Sequence, residues 1–117
     1  MFPFSNVFSN RLILSPMAGY TDSSFRRIVK VYDCKLVYTE LISAVAILRG
    51  VGKELYRFYS DEKPIIAQIF GQSPEIMRDA SLILIDMGFD GIDINLGCPA
   101  KKVIKTGSGF ALSQNLS

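Results

Sequence analysis

The chain has no histidine, no tryptophan and only two cysteines among its 117 residues. Without histidine the usual zinc constellations cannot be assembled from it. Cys34 and Cys98 are far apart and form no CxxC pair, so neither a disulfide framework nor a metal site is expected. No apolar run approaches the ~20 residues that a membrane helix needs. The opening Met1-Phe2-Pro3-Phe4-Ser5 lacks the basic start and continuous apolar core of a signal peptide. No membrane association and a cytoplasmic location are the expectations. An excess of one charge is missing too: 13 basic and 11 acidic residues leave a net charge of +2. Composition therefore makes no case for nucleic acid, and any such case rests on local clustering. What is present is an ordinary globular balance, 49% hydrophobic and 21% charged, which excludes disorder and fits one domain or part of one.

Periodicity gives repeated strand–helix pairs. Ser73 is a good N-cap, Pro74 suits the first helical position, Glu75 favours the positive helix start and Gly88 suits the stop, so a helix is predicted over Pro74 to Met87. Ile76, Ala80, Ile83, Leu84 and Met87 share one face of it. The apolar run Pro64 to Phe70 precedes this helix and the alternating Gly91 to Asn95 follows it, and both read as strands. Earlier in the chain Leu12 to Leu14 reads as a strand. A helix from about Ser23 has Phe25, Ile28, Val29 and Tyr32 on one face, and a second strand covers Leu36 to Thr39, with another helix near Ser43 to Leu48. Four βα units in this order imply parallel strands, because each helix supplies a right-handed crossover. The fold class is α/β. A closed eight-stranded barrel usually needs ~250 residues, so the pattern fits the first four βα units of a partial TIM (β/α)8 barrel. A small doubly wound sheet is the competing architecture.

Unusual residues follow each predicted strand: Ser15 to Gly19, then Thr39-Glu40, then Gln68 with Gly71, then Asn95 to Cys98. In a parallel barrel these ends meet on one face. Ala18-Gly19 would let a flat ligand approach the backbone, and equally would suit a tight turn before a helix capped by Thr21 or Asp22. Gln68 is an amide within an apolar strand and needs a partner, either within the protein or on a heteroaromatic ligand offering both a donor and an acceptor. Asp93 and Asn95 share a strand face. Asp93 reads as an interior structural acid and Asn95 as the site candidate. Cys34 reads as a small buried residue, whereas Cys98 lies on a glycine-rich loop with polar neighbours. The 14-residue connection Leu96 to Gly109 is long for a βα loop. Its Lys101, Lys102 and Lys105 are consistent with activating the thiol, with binding phosphate beside a thiol that gives up a proton, or with a merely solvated loop. Gly107-Ser108-Gly109 before a helix would offer backbone N–H groups to an anion.

The stretches "SPMAGYTDSSFRR", "TELISAVAIL", "QIFG" and "GFDGIDINLGCPAKKVIKTGSGFAL" together resemble the tRNA-dihydrouridine synthases over nearly the whole chain. That resemblance implies an FMN-dependent reductase that uses NADPH to convert particular tRNA uridines to 5,6-dihydrouridine. Hydride would pass from the flavin to C6 and a proton from Cys98 to C5, a role that suits a thiol mostly protonated at neutral pH. The uridine would be splayed out of the folded RNA to reach the site. By motif, Pro16, Met17 and Ala18 would contact the flavin, Gln68 would bond its ring and Asn95 would lie beside the base, with Lys101 and Lys102 as RNA contacts. Family members complete the barrel and add a helical C-terminal domain, and later segments supply a lysine, a histidine and the flavin phosphate site. Residues 1–117 are therefore expected to be the N-terminal half of an FMN-binding TIM-barrel domain, binding FMN poorly and inactive when alone. Two other readings compete. One is another flavin-dependent barrel oxidoreductase related to dihydroorotate dehydrogenase, and the other a noncatalytic RNA-binding or assembly module that pairs half-barrels through strand edges.

Overall fold

A computed structural model describes residues 12–114. Strand β1 (Val37–Ser43), β2 (Ile65–Phe70) and β3 (Gly91–Ile94) form a parallel sheet in the order β1-β2-β3. Helix α1 (Ser23–Val31) precedes β1, α2 (Ala44–Leu48) follows it, and α3 (Pro74–Asp86) joins β2 to β3. The short helices α4 (Lys101–Ile104) and α5 (Phe110–Ser113) follow β3. Among the described residues no helix is long and apolar enough to cross a membrane.

The predicted first strand is reduced to one parallel bridge, Ile13 to Leu36, flanked by Leu14 N–H to Leu36 carbonyl at 3.0 Å and Lys35 N–H to Leu12 carbonyl at 3.0 Å. It lies beside β1 and keeps the parallel order. Strand β1 runs past the predicted end at Thr39 to Ser43, so Thr39 and Glu40 lie within the strand rather than after it. The register shows why: Tyr38 faces Ile66 and Leu41 faces Gln68, so one extra β1 residue is accommodated as a bulge. A polar Thr-Glu pair mid-strand marks that irregularity instead of a strand end.

The core lies between one face of the sheet and the helices. Ile65, Ala67 and Ile69 alternate toward it and are fully buried, meeting Ala80 and Leu84 of α3. Helix α3 starts as its sequence predicts, with Ser73 Oγ accepting from Ile76 N–H at 3.3 Å and Pro74 in the first turn. Its buried line is Met77, Ala80 and Leu84, whereas Ile83 and Met87 are exposed. Asp90 clamps two strand starts: its carboxylate accepts from Ile65 N–H at 2.9 Å and its own N–H donates to the Ile65 carbonyl at 3.0 Å.

Helix α1 departs most from its predicted face. Asp22 caps it, accepting from Phe25 N–H at 2.8 Å, but Phe25, Ile28 and Tyr32 are exposed and the buried residue is Arg26. Arg26 Nε donates to Glu62 at 2.5 Å, and its other nitrogens donate to the carbonyls of Thr21 at 2.6 Å and Arg57 at 2.8 Å. Glu62 also accepts from Ser23 Oγ at 2.6 Å and Tyr59 N–H at 2.8 Å. The helix packs on this polar cluster in the Ser60–Glu62 turn and, of its predicted face, sets Val29 against the core while Phe25, Ile28 and Tyr32 are turned outward.

Candidate functional site

Ile66, Gln68 and Phe70 point away from the helices, and β3 sets Asp93 directly opposite Gln68. The bulge in β1 fixes the backbone there: Thr39 Oγ1 accepts from Gln68 N–H at 3.0 Å and donates to the Glu40 carbonyl at 2.8 Å. Gln68 is buried, so its side-chain amide needs partners. It has them. Gln68 Nε2 donates to Asp93 Oδ2 at 2.5 Å, Asn95 Nδ2 donates to Gln68 Oε1 at 3.3 Å, and Cys98 N–H donates to Asn95 Oδ1 at 2.9 Å. A continuous row of polar groups thus runs from mid-sheet to the loop that carries the thiol. The Asn95 N–H itself donates to the Ile69 carbonyl at 2.9 Å, extending the ladder one residue past β3.

Cys98 is half-buried, and Cys34 is buried in the core as read from its surroundings in sequence. Gly109 holds the other side of the Cys98 loop, with φ +61° and ψ −128°, and Phe110 N–H donates to the Cys98 carbonyl at 3.1 Å. A Cβ on Gly109 would lie 2.8 Å from the Cys98 carbonyl oxygen and 3.2 Å from its Cβ. This glycine is therefore a packing requirement of the thiol loop. Tyr38 is on the same sheet face, and burial first, then the negative charge of Asp93, pushes its phenol above the ordinary value.

The loop over Pro16, Met17 and Ala18 is a tight turn in which Tyr20 and Thr21 N–H groups both donate to the Met17 carbonyl at 3.0 Å. Gly19 N–H donates to the Glu40 carboxylate, which ties this loop to the β1 bulge. A Cβ on Gly19 would meet nothing within 4 Å, so the backbone there is open to approach. The structure thus brings Gln68, Asn95 and the Cys98 backbone into one row. Pro16 to Ala18 join it only indirectly, through Gly19, Glu40 and β1. Lys101 and Lys102 are exposed on α4.

Gly107 and Ser108 do not offer their N–H groups to an anion, because these donate to the Ile104 carbonyl at 2.9 Å and the Val103 carbonyl at 3.3 Å and close α4. The anchoring role of Glu40 and the backing role of Gly109 escape a reading by strand ends. Their available signals are an acid at mid-strand and a glycine directly before a helix. A cavity of about 610 Å³ lined by Ser43, Phe70, Gly71, Ser73 and Ser108 lies beside the strand ends. A larger one of about 730 Å³, lined by Tyr56, Phe58, Lys63, Met87 and Gly88 among others, lies where β2 and β3 begin and contains none of the candidate residues.

Residues 13–117 match the family described as Dihydrouridine synthase (Dus). The chain is 42% identical over 110 residues to a protein of Aquifex aeolicus named "Probable tRNA-dihydrouridine synthase", covering 92% of this chain and 35% of that protein. It is 42% identical over 108 residues to the tRNA-dihydrouridine synthase B of Shewanella oneidensis, covering 91% of this chain and 34% of that protein. It is 36% identical over 110 residues to the tRNA-dihydrouridine(20/20a) synthase of Synechocystis, covering 93% of this chain and 33% of that protein. The chain spans about a third of the length of these relatives. The Met17 turn, the Gln68 strand and the Asn95 to Gly109 loop all fall inside the matched residues, and on that match the chain belongs to the dihydrouridine synthase family.

Proposed function

We propose that this chain forms the Cys98-bearing part of a tRNA-dihydrouridine synthase, an FMN-dependent and NADPH-driven reductase of tRNA uridine, and that its sheet is the opening part of a TIM barrel. The observation that carries the reading is the row Asp93–Gln68–Asn95 leading into the Cys98 loop, in a member of this family.

Whether the residues fit a flavin is a question of donor set. After its bonds to Asp93 and Asn95, Gln68 retains one N–H and one carbonyl lone pair. An N–H beside a C=O on the flavin ring edge matches that pair, and the open backbone at Gly19 suits a flat ring. Gln68 and the Pro16, Met17 and Ala18 turn would hold the ring, and a bound flavin supplies hydride drawn from NADPH to C6 of the uridine. This chain's own part in the chemistry is the proton: the Cys98 thiol gives its hydrogen to C5, which completes 5,6-dihydrouridine. Asn95 lies beside the base, and the exposed Lys101 and Lys102 meet the RNA backbone.

The test is a chimera in which residues 13–117 replace the matching segment of the Shewanella oneidensis relative. It is expected to form dihydrouridine in tRNA, measured by mass spectrometry of digested nucleosides. With Cys98→Ala, flavin reduction by NADPH should persist while dihydrouridine formation falls about 10²–10⁴-fold. A chimera that holds flavin and is reduced by NADPH yet leaves uridine untouched overturns the reading. Because the ring contacts come from one side of a three-stranded sheet, the 117-residue chain alone should hold FMN weakly. Isolation with one flavin per chain would contradict that.

A further inference from the structure

We infer that Asp93 is a positioning residue for Cys98: its carboxylate sets the direction of the amide row, so that Asn95 presents oxygen rather than nitrogen to the Cys98 N–H. Each side-chain amide can turn end for end, exchanging a donor for an acceptor with little change of shape. Two such amides in series, Gln68 and Asn95, take their direction from the groups at their two ends. The Cys98 N–H only donates and an ionised carboxylate only accepts, so Asp93 locks from the sheet side the direction that the thiol loop needs. Facing Asp93 Oδ2 at 2.5 Å, Gln68 must turn its nitrogen to β3 and its oxygen outward. That oxygen takes the Asn95 Nδ2 hydrogen at 3.3 Å, which leaves Asn95 Oδ1 to accept from Cys98 N–H at 2.9 Å. Reversed, the row would set nitrogen against N–H at Cys98 and the Gln68 oxygen against the Asp93 carboxylate.

The placement is enforced by the fold. Gln68 and Asp93 are register partners across β2 and β3, and the Gln68 backbone is held from the other side by Thr39. The Asp93 side chain reaches the thiol loop only through two other side chains, Gln68 and Asn95, among the described residues. Its importance to proton delivery rests on the function proposed above, whereas the direction of the amide row is a property of this chain alone.

The test is made on the 117-residue chain by ¹⁵N NMR, reading hydrogen exchange of the Cys98 amide, with the alkylation rate of the buried Cys34 as a monitor of global opening. Asp93→Leu keeps side-chain bulk and removes the acceptor, and should speed Cys98 amide exchange roughly tenfold, the effect of losing about one hydrogen bond, while Cys34 stays protected. A second pair of variants separates direction from packing. Gln68→Glu alone still offers Asn95 an acceptor but sets two carboxylates against each other, and their repulsion should push the row apart and also release the Cys98 amide. Adding Asp93→Asn reverses the roles within the pair. The new amide on β3 then donates to the new carboxylate on β2, that carboxylate still accepts from Asn95, and Asn95 again offers oxygen. The double variant should return exchange to within about threefold of the native rate, as a coupled pair does in a double-mutant cycle. Unchanged Cys98 exchange in a folded Asp93→Leu, or a double variant as fast as Gln68→Glu, overturns the inference. If Asp93→Leu exposes Cys34, the Gln68→Glu pair decides. Failure of the chimera with the NMR result intact would remove the enzymatic reading and leave the directed row standing.

Discussion

At Gly109 the backbone takes φ +61° and ψ −128°, a region open only to glycine, in contact with the Cys98 carbonyl. Gly109→Ala therefore meets two costs at once, the dihedral strain and a Cβ 2.9 Å from Val103 Cγ1. It should lose roughly 1–3 kcal/mol in urea unfolding, with Cys98 alkylation altered and Cys34 unaffected. Tyr38 gives a second residue-scale prediction. Burial and the Asp93 charge raise its phenol above the ordinary 10.0, so between 10.0 and the raised value the folded state holds a proton that the unfolded state has lost. The Tyr38 contribution is fully present at neutral pH and is lost as pH rises through that window. In a tyrosinate absorbance titration the step that Tyr38→Phe removes should lie above 10.0, and Asp93→Asn should bring it partway back. Much at this scale is legible in sequence: a buried amide in an apolar strand demands a partner, and Asn95 shares the face of Asp93. What sequence withholds is which partner Gln68 finds, because that depends on the β2–β3 register and on a one-residue bulge in β1.

Helix α1 shows why an element is easier to find than to orient. Its 3.6-residue period and the Asp22 cap locate it, but the same period allows Arg26 to be the buried residue while Phe25, Ile28 and Tyr32 face out. The decision is made by Glu62, far along the chain, whose buried carboxylate requires the guanidinium. Arg26→Met should cost about 3–5 kcal/mol, since it leaves Glu62 buried without its counter-charge. The exposed Arg27–Asp61 pair offers a control: both side chains are about half accessible, and Asp61→Asn should change stability by less than about 1 kcal/mol. Helix α3 behaves more simply. Ser73→Ala removes the cap on Ile76 N–H and should cost about 1 kcal/mol in the same urea experiment. Strand β1 is the element that sequence shortens, because Thr39 and Glu40 interrupt the apolar pattern at the bulge, where polar side chains have partners across the strand.

Among the described residues the hydrophobic core lies against one face of the sheet and buries its strands unequally, which predicts an unequal response to opening. Parallel order is readable from the strand–helix–strand pattern, since α3 needs a crossover to carry β2 into β3; closure of a barrel is not, because three strands and a bridge fix a twist but no circumference. Strand β2 is central, paired on both edges, with Ile65, Ala67 and Ile69 fully buried under α3. Strand β3 has four residues, is paired only to β2 among the described residues, and ends with Ile94 half exposed. Local opening follows the number of ladder bonds and apolar contacts that must be broken together. Amide exchange in β2 should therefore be the slowest in the chain and approach the rate set by global unfolding. That in β3 and the Asn95 to Cys98 turn should be faster by a factor of about 10 or more, reflecting sub-global release of an edge. The polar row crosses this boundary between Gln68 and Asp93, so the thiol loop is anchored to the most stable strand through a less stable one. If exchange in β3 proves as slow as in β2, the edge is covered in solution, and the two strands open as one unit.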